Sequence, residues 1–185
     1  MRVVAYYTAG TPYQAEARDL RKTLDRFEIA HDVLEMPHPG TASAAKLLKP
    51  SVILSARARY PRENLLYLDA TARLFRHPIL IEQLEGSGYD AAAHYLPSGF
   101  LRRLCTGTLW FAPTPAANEL VEAWRMACVK PASRKEPNLL HRLMEERPWL
   151  TVFKMPPEYC WMAGTSERHW PGCPPPVIYH GGGDS

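Results

Sequence analysis

The chain has 185 residues, 46% hydrophobic and 22% charged, with a formal net charge of 22 − 19 = +3. That length buries a core without disulfide or metal staples, the composition excludes wholesale disorder, and the charge is too small to announce a polyanion partner. No apolar run approaches the ~20 residues of a membrane-spanning helix, so no such span is expected.

In chain order, Val3–Tyr7 is a short apolar run that stops at Thr8-Ala9-Gly10, a strand followed by a turn. Thr11-Pro12-Tyr13-Gln14 then reads as a helix start, with Thr11 as cap, Pro12 at the first position and Gln14 closing a capping box. Tyr13, Ala17, Leu20, Leu24 and Phe27 follow at spacings of 4, 3, 4 and 3, the buried stripe of an amphipathic helix. A second strand is predicted within Ala30–Met36, which gives strand, helix, strand, the opening of a doubly wound α/β domain. Ala42–Arg59 is predicted helical with an interruption near Pro50. Leu65–Leu68 is four apolar residues in a row, a strand buried on both faces, and it ends in Asp69. Ligands of open α/β sheets bind outside the carboxyl ends of strands, which puts Asp69 at a binding position.

Further on, Tyr89–Leu96 and Thr108–Phe111 read as strands. A helix follows, capped by Thr114, started by Pro115 and burying Leu120, Val121, Trp124 and Cys128. Leu139, Leu140, Leu143 and Met144 mark another helix, and Leu150–Met155 a last strand. From Pro156 onward the chain reads as loop, ending in Val177-Ile178-Tyr179-His180 and three glycines. The expected architecture is α/β, one domain over 1–185, with a mixed, mostly parallel central sheet flanked by helices. Proline (18) and glycine (11) together speak against a simple helical bundle.

Residues 1–8 are too short for a secretory signal, so a cytoplasmic protein is expected. The four cysteines include no Cys-x-x-Cys pair, which leaves a zinc ribbon or thioredoxin-type site without support. Charge is uneven: from Lys49 to His77 six basic residues (Lys49, Arg57, Arg59, Arg62, Arg73, Arg76) face two acidic ones, Glu63 and Asp69, for +4. Such a field suits phosphate or nucleic acid, and a solvated surface is the plain alternative.

Thr8-Ala9-Gly10, Asp69 and the His180–Gly183 run could share one pocket. Carboxylate and imidazole both ligate a divalent cation, and glycines let backbone N–H groups approach phosphate. Each feature has a plainer reading: Asp69 as a helix cap, His180 as a surface histidine, Tyr6 and Tyr7 as core aromatics.

In their order, the strand Val3–Thr8, Lys49-Pro50, and Asn64-Leu65-Leu66-Tyr67-Leu68-Asp69-Ala70-Thr71 resemble GT-A nucleotide-sugar glycosyltransferases of the galactosyltransferase and glycogenin type. That resemblance implies a donor-contacting Lys49, an Asp-x-Asp motif on Asp69-Ala70-Thr71, and a sugar-binding turn at Thr106-Gly107. It implies an acidic and amide segment near the sugar at Glu136-Pro137-Asn138, and a C-terminal metal-binding histidine at His180 with Gly181 on the diphosphate. The cofactor it implies is Mn²⁺ or Mg²⁺, held by Asp69 and His180. Thr71 departs from the motif, because a neutral hydroxyl is a poorer ligand than carboxylate. Should metal be absent, Lys49, Arg57 and Arg73 are left to neutralise the diphosphate; Asp184 is a further potential ligand. Gly107–Trp124 and Pro156–Trp161 also resemble small GT-A-like proteins of tailed phages, which implies a hydroxymethylated base in phage DNA as one acceptor.

Three functions follow as expectations. The first is sugar transfer from a nucleotide diphosphate, UDP foremost, to an acceptor hydroxyl. Tyr6 and Thr8 then meet base or ribose, Thr71 sits beside the donor, and Glu158, with Glu136 and Asn138 behind it, serves the acceptor. Residues 1–100 form the nucleotide half and 101–185 the sugar and acceptor half. The second is a GT-A-like binding shell without chemistry. The third is a nucleic-acid binder using the +4 stretch with stacking aromatics. The short chain favours a polymer acceptor lying across an open face.

Overall fold

This computed structural model describes residues 1–98, 101–129 and 136–181, the side chains of 98, 101, 102 and 136–138 excepted. The chain opens with β1 (Arg2–Thr8), α1 (Tyr13–Arg26) and β2 (His31–Met36), the two strands running parallel with Val3 opposite His31. From Val3 to Thr8 every residue of β1 is buried. Val3, Ala5 and Tyr7 join one core with Ala17, Leu20 and Leu24 of α1, while Val4 and Tyr6 point into a second core on the other face. A strand covered on both sides has no polar face, which is why the run is continuous rather than alternating.

The start of α1 differs from expectation. Thr11 does not close a capping box: its hydroxyl donates back to the Thr8 carbonyl at 2.7 Å, and Pro12 takes the cap position without a side-chain bond. The hydroxyl is used to finish the turn out of β1 instead. Tyr13, placed in the buried stripe by its spacing, is 37% exposed: it is the first residue of α1, one turn before Ala17, where burial begins.

Helices α2 (Ala42–Lys46) and α3 (Lys49–Arg59) divide the predicted helical stretch. The break falls at Leu47-Leu48, and Pro50 is accommodated in the first turn of α3, where its missing N–H costs nothing. Next come β3 (Leu65–Leu68), all four residues buried, and the short β4 (Ala72–Leu74) and α4 (Ile79–Glu82). β5 (Ala91–Ser98) and β6 (Leu101–Phe111) pair antiparallel, and β6 extends well upstream of the predicted Thr108. As predicted, the Thr114 hydroxyl caps α5 (Pro115–Val129), accepting from the Ala117 N–H at 3.2 Å. α6 (Glu136–Glu145) and β7 (Val152–Lys154) follow.

The sheet order is β2-β1-β3-β6-β5-β7. Only β6 opposes its neighbours, so the sheet is mixed and mostly parallel, as expected. α3, α5 and α6 cover one face, and α1 covers the other.

The segment after Pro156 is not plain loop. A 3-10 turn (Pro157–Tyr159), β8 (Trp161–Met162), α7 (Ser166–His169) and β9 (Ile178–His180) build a second sheet of order β4-β9-β8. β9 pairs antiparallel to β4, with Ala72 opposite His180, so the C-terminal histidine is delivered beside the end of β3. Strands of two or three residues carry no readable period, and only the register reveals them.

The +4 stretch is mostly structural. Arg57 is buried and donates to the carbonyls of Glu63, Phe111 and Ala112, tying α3 to β6. Arg59 pairs with Asp32, Arg73 with Glu16 and Asp19, and Arg76 reaches the Pro175 carbonyl. Lys49 is buried at the site described next, and Arg62 remains exposed.

Candidate functional site

The register of β5 against β6 slips sharply at one place. Ala93 lies opposite Leu109 and the next residue, His94, opposite Cys105, so Thr106, Gly107 and Thr108 fall within the slip. Bulges bend a strand and re-aim its side chains. Here the bulge carries Thr106-Gly107-Thr108 to the carboxyl end of β3, where the Asp69 N–H donates to the Gly107 carbonyl at 2.9 Å.

Asp69 is the centre of the cluster. Its Oδ1 accepts from the Tyr67 hydroxyl at 2.8 Å and lies 3.1 Å from the Lys49 Nζ, while its Oδ2 is 3.3 Å from the same ammonium. Tyr67 and Asp69 stand two apart, so an extended backbone points them the same way. Lys49, the first residue of α3, also donates to the Thr106 carbonyl at 3.3 Å and hydroxyl at 3.1 Å. Its Nζ lies 5.5 Å from the centre of the Tyr67 ring. Lys49 is 5% exposed, and its ammonium needs such partners, since an unpaired buried charge is costly. Burial works to raise the Asp69 carboxyl, but the charges of Lys49 and His180 and the bonds from Tyr67 and Lys49 outweigh it and hold the group below its ordinary 3.8. The carboxylate is not sealed: its side chain is 35% exposed, the cluster's opening to solvent.

His180 closes the other side. Its Nε2 lies 2.8 Å from the Thr108 hydroxyl. Gly107 sits between the two halves: a Cβ there would lie 3.1 Å from the His180 Cε1, 3.2 Å from its Nδ1 and 3.4 Å from the Asp69 Oδ2. This is a close approach that the missing side chain permits. Behind His180 lies the fully buried Cys160, whose thiol is pushed well up by its bond to Cys105 and by burial, with the His180 ring pulling it down.

The expected site residues therefore divide into groups. Lys49, Asp69, Thr106, Gly107 and His180 are brought together. Gly181 and Thr71 adjoin them, the Gly181 N–H donating to the Thr71 carbonyl at 3.2 Å. Asp69 is not a helix cap: its carbonyl accepts from the Ala72 N–H at 2.9 Å in a tight turn into β4. Tyr6 is buried, donates to the Ala45 carbonyl at 2.6 Å and packs against Tyr67 with ring centres 6.2 Å apart. Thr8 ends β1, its Oγ1 3.3 Å from that of Thr11. Glu158 makes its contacts elsewhere: its carbonyl accepts from the Val177 N–H at 2.7 Å, its Oε2 accepts from the Cys173 thiol at 3.7 Å, and its charge acts on His94. Glu136 and Asn138 begin α6, but their side chains lie outside the described residues, as does Asp184. Two members of the cluster were not anticipated, Tyr67 and Thr108. The Tyr-x-Asp spacing on a strand could have found the first, whereas the second needs the position of β9.

No cluster of three His, Cys, Asp or Glu side chains that could hold a metal ion occurs among the described residues. Asp69 and His180 supply two potential ligands, one of them already carrying an ammonium, and Thr71 supplies a hydroxyl where a carboxylate was implied. Among the described residues, this donor set does not fit a resident divalent cation. Nor is any helix among the described residues long and apolar enough to cross a membrane.

Neither a known family nor a curated protein matches the chain by sequence. Solved structures do match by shape. A glycosyltransferase involved in the glycosylation of the major capsid of PBCV-1 superposes with a TM-score of 0.75 at 12% identity, over 97% of this chain and 92% of that one. The fold is GT-A-like. Mouse xyloside xylosyltransferase 1 matches at TM-score 0.61 and 11% identity, over 97% of each chain. The galactosyltransferase LgtC, solved with donor and acceptor sugar analogues, matches at TM-score 0.59 and 10% identity, over 99% of this chain and 87% of that one. At such identities the likeness establishes the GT-A-like fold, and what the site does rests on its chemistry.

Proposed function

We propose that the chain is a glycosyltransferase of the hexosyl type, moving a sugar from a nucleotide diphosphate, UDP foremost, to an acceptor hydroxyl. The observation that carries this reading is the convergence of Lys49, Asp69, Thr106, Gly107 and His180 at the carboxyl end of β3 in a GT-A-like sheet. In the transfer, the acceptor oxygen bonds to the anomeric carbon and the bond from that carbon to the diphosphate oxygen breaks, its electron pair staying on the diphosphate. The hydroxyl proton leaves to a base.

Asp69, held ionised and partly open, accepts from ribose or sugar hydroxyls. Lys49 opposes the charge that develops on the leaving group, which is electrostatic stabilisation by a group already in place. Thr106 and Gly107 border the sugar, Tyr6 and Thr8 the base side, and Gly181 with Thr71 the diphosphate. Glu158 is the proposed acceptor-side carboxylate, with Glu136 and Asn138 at the head of α6. Residues 1–100 supply the nucleotide side and the rest the sugar and acceptor side. A polymer hydroxyl is the proposed acceptor, with a hydroxymethylated base in DNA as the specific case to assay. A pure phosphate-gripping nucleic-acid binder is less well supported, because most of the +4 stretch is engaged within the fold.

The test is a thermal-shift panel of nucleotide sugars followed by release of free UDP with candidate acceptors. One donor sugar is expected to raise Tm and to be consumed. A donor that binds but is never consumed would favour a shell without chemistry. Salt-sensitive DNA binding with no donor binding would refute the transferase.

A further inference from the structure

We infer that this site binds the donor's diphosphate without a resident divalent cation, with the Lys49 ammonium supplying the positive charge. The inference rests on the nucleotide-sugar reading above and concerns how that ligand's charge is met.

Three features of the cluster lead here. First, the described residues offer too few ligands: they hold no group of three His, Cys, Asp or Glu suited to a metal ion, and Thr71, two residues beyond Asp69, offers only a hydroxyl. Second, the two potential ligands are already engaged. Both Asp69 oxygens lie within 3.3 Å of Lys49, and Oδ1 also accepts from Tyr67. The His180 Nε2 is bonded to Thr108. A dication ligated by Asp69 would press against the ammonium in a buried wall, where like charges repel strongly. Third, Lys49 is fixed rather than floating. It is buried, and the Thr106 carbonyl and hydroxyl hold its Nζ beside the open edge of Asp69. A lysine presented as a point charge is a sound phosphate partner. The same ammonium that keeps Asp69 ionised thus stands where an incoming diphosphate meets the carboxylate's exposed side.

Calorimetric titration of the full chain with UDP, once in EDTA and once in Mn²⁺, tests this. Equal affinity within about twofold is expected. Lys49→Met should weaken UDP at least about tenfold in both buffers. Thr71→Asp, which adds a carboxylate at the turn, should create Mn²⁺-dependent UDP binding that the wild type lacks. Mn²⁺ titrated alone, followed by its electron paramagnetic resonance, should find no tight site in the wild type. Tight Mn²⁺ binding by the wild type, or UDP binding that disappears in EDTA, would overturn the inference and leave the transferase reading standing. Failure of UDP and UDP-sugars to bind in either buffer would overturn both.

Discussion

Gly107→Ala tests whether the cluster is as tightly set as its distances indicate. The backbone at Gly107 is not in the left-handed region, so alanine meets no conformational barrier and any effect is steric. The added carbon would sit 3.1 Å and 3.2 Å from two atoms of the His180 ring, short of ordinary contact by a few tenths of an ångström, and 3.4 Å from the Asp69 Oδ2, at the near edge of ordinary contact. Neither neighbour gives easily. His180 lies in β9, paired with β4 and bonded to Thr108, and Asp69 is held by Tyr67 and Lys49. Overpacking of this kind costs about 1–2 kcal/mol, the lower part of the usual range. At ~2–4 °C per kcal/mol for a chain of this size, Tm should fall roughly 2–8 °C. UDP affinity should fall about tenfold as His180 and the Thr106–Thr108 bulge beside Asp69 shift apart. Gly181→Ala is the control for stability, because its added carbon would find nothing nearer than the Thr71 carbonyl at 3.9 Å. Differential scanning fluorimetry and calorimetry on both variants provide the measurement. A Gly107→Ala protein with wild-type UDP affinity and the Tm of Gly181→Ala would refute the tight juxtaposition of Asp69 and His180 across Gly107.

Other consequences are independent of any ligand. Arg57→Leu leaves the carbonyls of Glu63, Phe111 and Ala112 without their donor and should cost ~2–5 kcal/mol in urea unfolding, with Arg57→Lys intermediate. His94 is buried, its Nδ1–H donates to the Met155 carbonyl at 2.9 Å, and burial lowers its pKa from 6.5 despite the Met155 and Glu158 contacts. A depressed histidine contributes stability that is complete above pH 6.5 and is lost as pH falls towards the folded value. Tm should therefore drop from pH 7.5 to pH 5.5 more in the wild type than in His94→Asn, and parallel slopes would refute this. Cys128 and Cys173 should react with a thiol reagent in the native protein, and the buried Cys105 and Cys160 only on unfolding, which mass spectrometry reads directly.

The parts of the fold legible in the sequence were those written in one element. The unbroken apolar run of β3 announced a strand covered on both faces, and Thr114-Pro115 announced the head of α5, because burial and capping are local demands on residue type. Thr11 shows the limit of that logic. A hydroxyl has several backbone groups within reach, and the Thr8 carbonyl at the end of β1 won over the helix N–H groups. β8 and β9 were illegible for a different reason: two or three residues cannot display a period, β8 pairs with β9, and the other partner of β9, β4, lies a hundred residues upstream.

The site was legible only as separate pieces, and the bulge explains why. Lys49, Asp69, Thr106 and His180 are far apart in sequence, and nothing in their own neighbourhoods states that the register of β5 against β6 will slip at Thr106–Thr108 and turn them to face the others. Once they do, the charge count changes meaning. The +4 between Lys49 and His77 suggested an outward field, yet Arg57 spends its charge on buried carbonyls and Arg59 and Arg73 spend theirs on Asp32, Glu16 and Asp19. Of that stretch, Lys49 is the buried cation held beside Asp69 at the carboxyl end of β3, a carboxylate that still faces solvent. A summed charge records how many basic residues a segment has, whereas recognition of a phosphate depends on where one of them is held. That is why substitution at Lys49 should change UDP binding far more than substitution at Arg59, although the two contribute equally to the segment's charge.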